Sequence, residues 1–425
     1  MRRLKNLNFV EMQFVDILGK LREIDITPKR FEESFIQGKV FDGSSVKMAP
    51  IEESDLLLKP IKKTFFIIPW NKKGARVLCD IFKANKSMEE YELSPRFILK
   101  AQLKKAEEMG YKFFTAVENE FFLLKDGNLI DNAGYFYPTP LDKTKKFREE
   151  VLETLKKVGI EVEYLHHEVA PGQVEITLKV AEALDMADNT ITFRYVAQNL
   201  ASKDGMVFTL IPKLKPNING SGMHIHLSLA NLRGENVFYS ENDEFKISKI
   251  AKHFMAGILE HFKSLAGIVA PSINSRKRLV PGYEAPINKA WGPKNRSALI
   301  RIPPFFSKNS ARIEFRMPDS TCNIYLAFTA LLACGLEGIE KELDPGEPCL
   351  ENTYENGSKF ESIPGKQEEI IEELKKDKTI KKALGKAFDV YIKLKEEELK
   401  DFKKQNPKWN PFEITNWELE RYLQF

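Results

Sequence analysis

The sequence has few cysteines and lacks a long apolar run. Its four cysteines show no paired spacing along 425 residues, which argues against a disulfide framework and favours a reducing compartment. No apolar run approaches the roughly 18 residues that are needed to span a bilayer. The basic N-terminal stretch carries acidic residues among its apolar ones, so no cleaved leader is predicted. We therefore expect a cytoplasmic protein.

An excess of charge of either sign is also missing. Lys and Arg together number 65 and Asp and Glu 61, so the formal net charge of +4 is small for this length. That balance does not indicate a nucleic-acid-binding or membrane-surface protein. The hydrophobic fraction of 43% and the charged fraction of 30% are typical of a globular protein. The length allows roughly two to three domains.

Hydrophobic patterns divide the chain into two parts. The N-terminal part contains short segments of strand character that are separated by Gly, Pro and Asn-Lys-Lys turns. From Ser94, a predicted helix cap, the apolar spacing becomes helical, and strands and helices then alternate. The Lys/Glu-rich segment 363–405 predicts solvated helices. We predict an α+β protein with a β-rich domain over residues 1–89 and a larger α/β domain over residues 90–425.

The stretch TAVENEFFLL, residues 115–124, places two glutamates in otherwise apolar sequence. Side chains two apart in a strand share a face, so Glu118 and Glu120 are expected to point the same way. The surrounding residues are apolar enough to be buried, and an unpaired buried charge is very costly. The stretch therefore predicts a cation beside the two carboxylates.

Three further stretches also place polar side chains in core-like sequence. They supply Glu168 and Glu175 in YLHHEVAPGQVEITLK, His224, His226 and Ser228 in NINGSGMHIHLSL, and Arg312, Glu314 and Arg316 in ARIEFRMPD. Each alone is more often a solvated edge, a core histidine or an ion-pair ladder. Together, five glutamates and one histidine suit Mg²⁺ or Mn²⁺ better than structural zinc, and they exceed what one ion needs. We therefore predict two divalent ions.

Arginines in two more stretches indicate a phosphate group. Arg278 lies in RKRLVPGYEAP, and Arg296 and Arg301 lie in PKNRSALIRIP. Guanidinium groups suit carboxylate and phosphoryl oxygens, and the absence of a GxxxxGK[ST] sequence excludes a P-loop. The residues alone predict a two-metal, ATP-dependent enzyme that acts on an acid. A glycosidase with paired acids is the alternative, and the phosphate-type arginines argue against it.

From about residue 13 to the C-terminus the chain resembles the type I glutamine synthetases. The motifs that carry this resemblance are, in order, FDGSS, ENEFFLL, HHEVAPGQVEI, NGSGMHIHLSL, RLVPGYEAP, NRSALIRIP and RIEFRMPD. The resemblance implies an N-terminal β-grasp domain and a catalytic domain with an antiparallel active-site sheet. It also implies a homododecamer of two stacked hexamers with active sites between subunits. The implied reaction is ATP-dependent amidation of L-glutamate by ammonia through γ-glutamyl phosphate.

The resemblance also implies a role for individual residues. One metal ion is expected on Glu120, Glu168 and Glu175, and the other on Glu118, His224 and Glu314. The glutamate-binding residues are expected to be Asn219, Gly220, Arg278 and Arg316. The nucleotide-binding residues are expected to be Glu163, His226, Ser228, Arg296 and Arg301, of which Arg296 is also expected to be catalytic.

Two acidic residues complete the implied site. Asp42, in FDGSS, matches the aspartate that draws a proton from ammonium across the subunit boundary. Glu284, in PGYEAP, matches the flap glutamate that closes the site and shields the acyl phosphate from water.

The sequence departs from the family pattern at several places. Asn119 replaces the usual proline between the two glutamates, and the segment after FDGSS lacks an arginine that is linked to feedback inhibition in one subgroup. The surroundings of Tyr354 do not match an adenylylation site, so no such control is expected. AWGPKNRS is also similar to relatives that join glutamate to larger amines. The alternatives to a glutamate–ammonia ligase are a γ-glutamyl ligase for a polyamine or other amine and a non-catalytic nucleotide-binding paralogue. The presence of Asp42 and Glu284 favours ammonia.

Overall fold

The computed structural model describes residues 4, 6–281, 283, 285–408 and 410–424. The N-terminal part contains strands β1 (Phe9–Val15), β2 (Leu21–Ile26), β3 (Lys39–Asp42), β4 (Asp55–Pro60), β5 (Phe66–Ile67) and β6 (Gly74–Lys83), and helix α1 (Pro28–Gln37). Short 3₁₀ turns lie at Ile51–Glu53, Lys62–Thr64, Lys308–Ser310 and Gly357–Lys359.

The N-terminal strands form one mixed sheet. Within the described part of the chain its order is β2-β1-β6-β4-β3, with β5 also paired to β6. The central strands β1 and β6 are parallel, and the other pairs are antiparallel. Alternate side chains such as Val10, Met12 and Val77 are fully buried in its core. The predicted β-rich domain is therefore confirmed as a β sheet.

Helix α1 was not predicted from the sequence. Its N-cap is Thr27, whose side chain accepts a hydrogen bond from the backbone N–H of Arg30, and Pro28 occupies the first turn. Both features are standard signals of a helix start. Phe31 of this helix packs with Phe65 beside the sheet, with ring centroids 5.6 Å apart.

The larger part of the chain contains the other elements. Its strands are β7 (Tyr111–Lys125), β8 (Asn128–Leu129), β9 (Val162–His167), β10 (Gln173–Glu182), β11 (Met206–Thr209), β12 (Met223–Asn231), β13 (Trp291–Pro293), β14 (Ile300–Ile302) and β15 (Ile313–Phe315). Its helices are α2 (Pro95–Glu108), α3 (Lys145–Lys157), α4 (Ala183–Lys203), α5 (Lys249–Glu260), α6 (Phe262–Val269), α7 (Ser275–Arg278), α8 (Ile324–Glu340), α9 (Gln367–Lys376), α10 (Lys378–Leu384), α11 (Ala387–Gln405) and α12 (Asn416–Tyr422).

These strands form a large sheet around β7. Among the described residues the order is β13-β14-β15-β12-β7-β10-β9, with β8 and β11 also paired to β7. All pairs are antiparallel except β13 with β14. The predicted α+β class with a mainly antiparallel sheet is therefore confirmed.

Strand β7 separates the two faces of this sheet. Val117 and Phe121 are fully buried, and Phe121 packs on Phe193 of helix α4 with ring centroids 6.0 Å apart. Glu118 and Glu120 alternate with them and point to the opposite face. The helices thus cover one face of the sheet and leave the other for the carboxylates.

Helix ends follow the sequence signals only in part. Helices α3 and α4 stop shortly before Gly159 and Gly205, which adopt positive φ angles of 88° and 67°. Ser94 occupies the predicted N-cap position of α2, but its side chain makes no capping hydrogen bond. In the described parts of the chain, no helix combines the length and the apolar composition needed to cross a membrane.

Candidate active site

A cavity of about 1230 Å³ opens on the face of the large sheet that carries Glu118 and Glu120. The sequence-predicted residues that line it are Glu118, Glu120, Glu163, Glu168, Glu175, Asn219, Gly220, His224, His226, Ser228, Arg278, Arg296, Arg301 and Arg316. Glu314 has no exposed surface and lies behind this lining. The fold therefore gathers into one cavity residues that are spread between positions 118 and 316 of the sequence.

Three neighbouring strands bring Glu118, His224 and Glu314 together. His224 on β12 lies opposite Glu118 on β7, and Glu314 on β15 lies opposite His226 on β12. The Nδ1 atom of His224 is 2.9 Å from Glu118 Oε2 and 3.8 Å from Glu314 Oε1. One ligand atom from each of the three residues lies within 4.8 Å of the other two. This is the group that the sequence predicted for one metal ion.

Two of the three residues predicted for the second group, Glu168 and Glu175, lie together at β10. Glu175 lies directly opposite Glu120 in the strand register. Glu168 and Glu175 cluster with His166, whose Nε2 atom is 3.5 Å from Glu175 Oε1 and whose Nδ1 atom is 3.7 Å from Glu168 Oε1. Sequence reasoning missed His166, although it lies two residues before Glu168 in the HHE motif.

Glu120 occupies the space between the two groups. Its Oε2 atom accepts a hydrogen bond from the backbone N–H of Gly222 at 2.8 Å and one from Gln173 Nε2 at 3.2 Å. Its Oε1 atom lies 3.8 Å from Nε2 of His224. Glu118 and Glu120 therefore both point into the cavity, as their strand spacing predicts.

Crowding of carboxylates disturbs the proton affinity of the second group. Burial, together with the charges of Glu120 and Glu175, raises the pKa of Glu168 to about 8. Burial, together with Glu118 and Glu120, raises the pKa of Glu175 well above its ordinary value. Both shifts favour the protonated form, because little positive charge lies close to these two side chains.

The first group already contains positive charge. Burial opposes ionisation of Glu118, but His226 and His224 hold its pKa well below the usual range. Burial likewise opposes ionisation of Glu314, and the neighbouring Arg316 guanidinium lowers its pKa to about 2. The two groups therefore differ in electrostatic character.

Glu314 fixes two arginines at the cavity. Its carboxylate accepts hydrogen bonds from Nη1 of Arg301 at 2.6 Å and from Nη1 of Arg316 at 2.5 Å. Arg278 is buried and donates to the backbone carbonyls of Met317 and Arg316 at 2.7 and 3.2 Å. These contacts hold three guanidinium groups at one end of the cavity, where an anionic substrate group can bind.

Two glycines allow the backbone to approach Arg278. A Cβ atom at Gly220 would lie 2.3 Å from the carbonyl oxygen of Pro212 and 2.9 Å from Cγ of Arg278. A Cβ atom at Gly222 would lie 2.7 Å from Nη2 of Arg278. Any larger residue at these positions would displace either the backbone or this arginine.

The predicted nucleotide-binding residues connect with the first carboxylate group. His226 Nε2 is 2.8 Å from Glu118 Oε1, and Arg312 donates from Nε to His226 Nδ1 at 3.2 Å. Arg312 was noted in the sequence without a role, and it also lines the cavity. Tyr354 lines the cavity too and donates to the backbone carbonyl of Arg296 at 3.3 Å.

Asp42 lies apart from the cavity lining. It ends strand β3, is exposed, and accepts hydrogen bonds from the Ser44 N–H at 2.9 Å and the Ser45 hydroxyl at 2.5 Å. The hydrogen bonds from Ser45 and Ser44 lower the pKa of Asp42 to about 2. Its predicted action across a subunit boundary stays a prediction. Glu284 lies outside the described residues.

An aromatic surface forms another wall that the sequence did not predict. Tyr135 and Phe136 stack with ring centroids 3.9 Å apart, and Phe136 meets His166 edge-on at 4.8 Å. Tyr164 and His166 project from the same face of β9, and their rings stack with centroids 5.9 Å apart. In the sequence, the clusters of aromatic and histidine residues in GYFY and EYLHH could have indicated this wall.

Comparison with known proteins identifies the family. The sequence model of the glutamine synthetase catalytic domain matches residues 92–422, and that of the glutamine synthetase β-grasp domain matches residues 6–84. This chain belongs to the glutamine synthetase family. The predicted order of a β-grasp domain and a catalytic domain is confirmed, and a boundary between residues 89 and 90 stays a prediction.

Full-length relatives carry the name glutamine synthetase. The protein of Thermotoga maritima is 43% identical over 99% of this chain and 97% of its own length. Those of Pyrococcus woesei and Thermus thermophilus are 42% and 40% identical over 98% and 99% of this chain and 97% and 96% of their own lengths. The chain is therefore a ligase of the glutamine synthetase type.

Solved structures of GmaS have the same fold. Apo GmaS superposes with a TM-score of 0.88 at 27% identity, covering 100% of this chain and 98% of that protein. A GmaS complex with ADP superposes with a TM-score of 0.89, also at 27% identity, covering 99% of this chain and 98% of that protein.

Glutamine synthetases use ATP and divalent metals. The oxygen-rich donor groups with one imidazole fit Mg²⁺ or Mn²⁺.

Proposed function

We propose that this protein joins ammonia to L-glutamate with hydrolysis of ATP, through γ-glutamyl phosphate, to form L-glutamine. The observation that carries the proposal is the single cavity in which both carboxylate groups meet the arginine cluster. The names of the full-length relatives support the same reaction.

Two divalent ions, Mg²⁺ or Mn²⁺, are proposed for the two carboxylate groups. Glu118, His224 and Glu314 hold one ion, and Glu120, Glu168 and Glu175 hold the other, with His166 beside the second group. When bound, the ions neutralise the phosphate oxygens and the charge that develops as the phosphoryl group is transferred.

The arginines are proposed to bind and orient the two acidic substrates. Arg316 and Arg278, together with Asn219 and Gly220, bind glutamate at the end of the cavity that Glu314 organises. The remaining predicted residues, Glu163, His226, Ser228, Arg296 and Arg301, bind the nucleotide, and Arg296 also acts on the transferred phosphoryl group.

The ammonia site is proposed to need a second subunit. Asp42 lies outside the cavity of its own chain, which supports its presentation to a neighbouring site in a dodecamer of two stacked hexamers. Hydrogen bonds from Ser45 and Ser44 lower the pKa of Asp42, so its anionic carboxylate attracts ammonium and draws a proton from it. The resulting NH₃ attacks the carbonyl carbon of γ-glutamyl phosphate, and phosphate leaves. Glu284 closes the flap that excludes water. We also propose a cytoplasmic location for the protein and a domain boundary between residues 89 and 90.

The test is an ATP- and glutamate-dependent assay with ammonium, short alkylamines, putrescine and spermine. ADP and the γ-glutamyl product are measured together for each amine. We expect the highest kcat/KM with ammonium and ADP formed in equal amount to glutamine. ADP formation that does not depend on glutamate, or no amide product with any amine, would contradict the proposal.

A γ-glutamyl ligase for a larger amine is the second candidate. Two observations favour it: the whole-chain similarity to GmaS, and the exposed aromatic surface of Tyr135 and Phe136 on the cavity wall. Aromatic faces attract alkylammonium groups. A higher kcat/KM with any alkylamine or polyamine than with ammonium would select this candidate.

A further inference from the structure

Tyr164 lies in the cavity and contacts a proposed metal ligand, although it is in none of the family motifs quoted above. It lies on β9 opposite Thr177 of β10, and Thr177 lies in turn opposite Glu118 of β7. The three residues form one row across three strands. The phenol reaches past the short threonine, and its hydroxyl donates to Glu118 Oε1 at 2.7 Å.

Both oxygens of Glu118 are oriented by neighbours. Oε1 is contacted by Tyr164 and by Nε2 of His226 at 2.8 Å, whereas Oε2 faces Nδ1 of His224 at 2.9 Å. Two donors on one oxygen restrict rotation of the carboxylate. They leave Oε2 on the side of His224 and Glu314, where the proposed ion is held.

The ring of Tyr164 is itself fixed. It stacks on His166 with an interplanar angle of 10° and a centroid separation of 5.9 Å. The side chain is 42% exposed to the cavity, so it is not a core residue that is held only by packing. A fixed ring with a donor aimed at a carboxylate is the arrangement that orients a metal ligand.

We propose that Tyr164 is a positioning residue that orients Glu118 toward the divalent ion shared with His224 and Glu314. This inference rests on the proposed function, which supplies the ion. Loss of the hydroxyl lets the carboxylate rotate, so the ion binds more weakly while the glutamate-binding arginines keep their contacts. Hydrogen-bonding partners of metal ligands commonly contribute about 10–100-fold to metal affinity.

The test is Mn²⁺ binding to the full-length protein carrying Tyr164→Phe, which keeps the ring and removes only the hydroxyl. Calorimetry and Mn²⁺ electron paramagnetic resonance, with and without ADP, measure the affinity of each class of Mn²⁺-binding site. We expect the class of Mn²⁺ site that uses Glu118 to weaken by about tenfold or more, and the other class, whose Glu175 also interacts with the Tyr164 hydroxyl, to weaken less. The Mg²⁺ concentration for half-maximal activity should rise, with little change in the KM for glutamate.

Tyr239→Phe is the matched control. Tyr239 also donates its hydroxyl to a glutamate, Glu241, but neither residue lines the cavity. In a His224→Ala background, where one ion site is lost, adding Tyr164→Phe should weaken the remaining Mn²⁺ class by less than it weakens the Glu118 class in the otherwise wild-type protein.

The outcomes separate this inference from the proposed function. Unchanged Mn²⁺ affinity in Tyr164→Phe would overturn the positioning role, even if the wild-type protein makes glutamine. Tyr164-dependent Mn²⁺ binding in a protein without ligase activity would overturn the proposed function and uphold the positioning role. Equal weakening of Mn²⁺ binding by Tyr239→Phe would also overturn the positioning role, because the effect would then not come from the cavity.

Discussion

Metal binding to this protein should release protons, and Glu168 allows the amount to be worked out. Its pKa of about 8 means that about nine-tenths of the side chains are protonated at pH 7 in the metal-free protein. A carboxyl group must lose its proton to bind a cation. Glu175, whose pKa is raised in the same direction, should add to this release. Binding of Mn²⁺ at pH 7 is therefore expected to release about one proton from Glu168.

The sign of the pH dependence follows from the raised pKa values. Below pH 8 the proton on Glu168 competes with the metal ion, so apparent Mn²⁺ affinity should fall by up to about tenfold for each pH unit from this group. Above pH 8 its contribution disappears, and at pH 9 only about one-tenth of a proton remains to be released. Glu175 adds to the slope in the same direction.

Calorimetry in buffers with different ionisation enthalpies measures the released protons directly. Glu168→Gln should remove about one of them at pH 7. Glu241→Gln is the control, because this exposed glutamate lies outside the cavity lining. Release of no protons at pH 7, or equal release at pH 7 and pH 9, would refute the reasoning from crowded carboxylates.

Three further changes test the site and its support. His224→Ala should abolish turnover while the melting temperature stays close to wild type, because a ligand is lost from an otherwise intact cavity. Mixing inactive subunits carrying Asp42→Ala with inactive subunits carrying Glu314→Ala should restore some activity, and activity of an isolated protomer would contradict a shared site. Glu418→Ala should lower the free energy of unfolding by about 3–5 kcal/mol in denaturant titration, because Lys277 loses its buried carboxylate at 2.6 Å and Asn274 loses an acceptor.

The face on which each candidate metal ligand lies could be predicted from the sequence, because a strand has a fixed two-residue period. Glu118 and Glu120 in β7 and Glu175 in β10 all face the cavity, as alternation requires. Assigning these residues to two separate groups needed the family resemblance. Alternation gives the face of each side chain but not the order of the strands.

The features that were missed depend on strand order or on competing local signals. Tyr164 reaches Glu118 only because β10 lies between β9 and β7, and 46 residues separate the two in the sequence. His166 joins Glu168 and Glu175 for the same reason. Helix α1 was missed although Thr27 and Pro28 mark its start, because short apolar segments on both sides dominate the pattern.

The two carboxylate groups should not bind their ions equally. The group of Glu120, Glu168 and Glu175 supplies three carboxylates, and the raised pKa of Glu168 reflects its uncompensated negative charge. The other group supplies two carboxylates and an imidazole, and one of these carboxylates, Glu314, is already paired with two arginines. Its charge is therefore partly neutralised before any ion arrives. If the two groups hold the proposed ions, we expect the first ion to enter the three-carboxylate group with release of protons, and the second to bind tightly only when nucleotide phosphates bring further negative charge into the cavity.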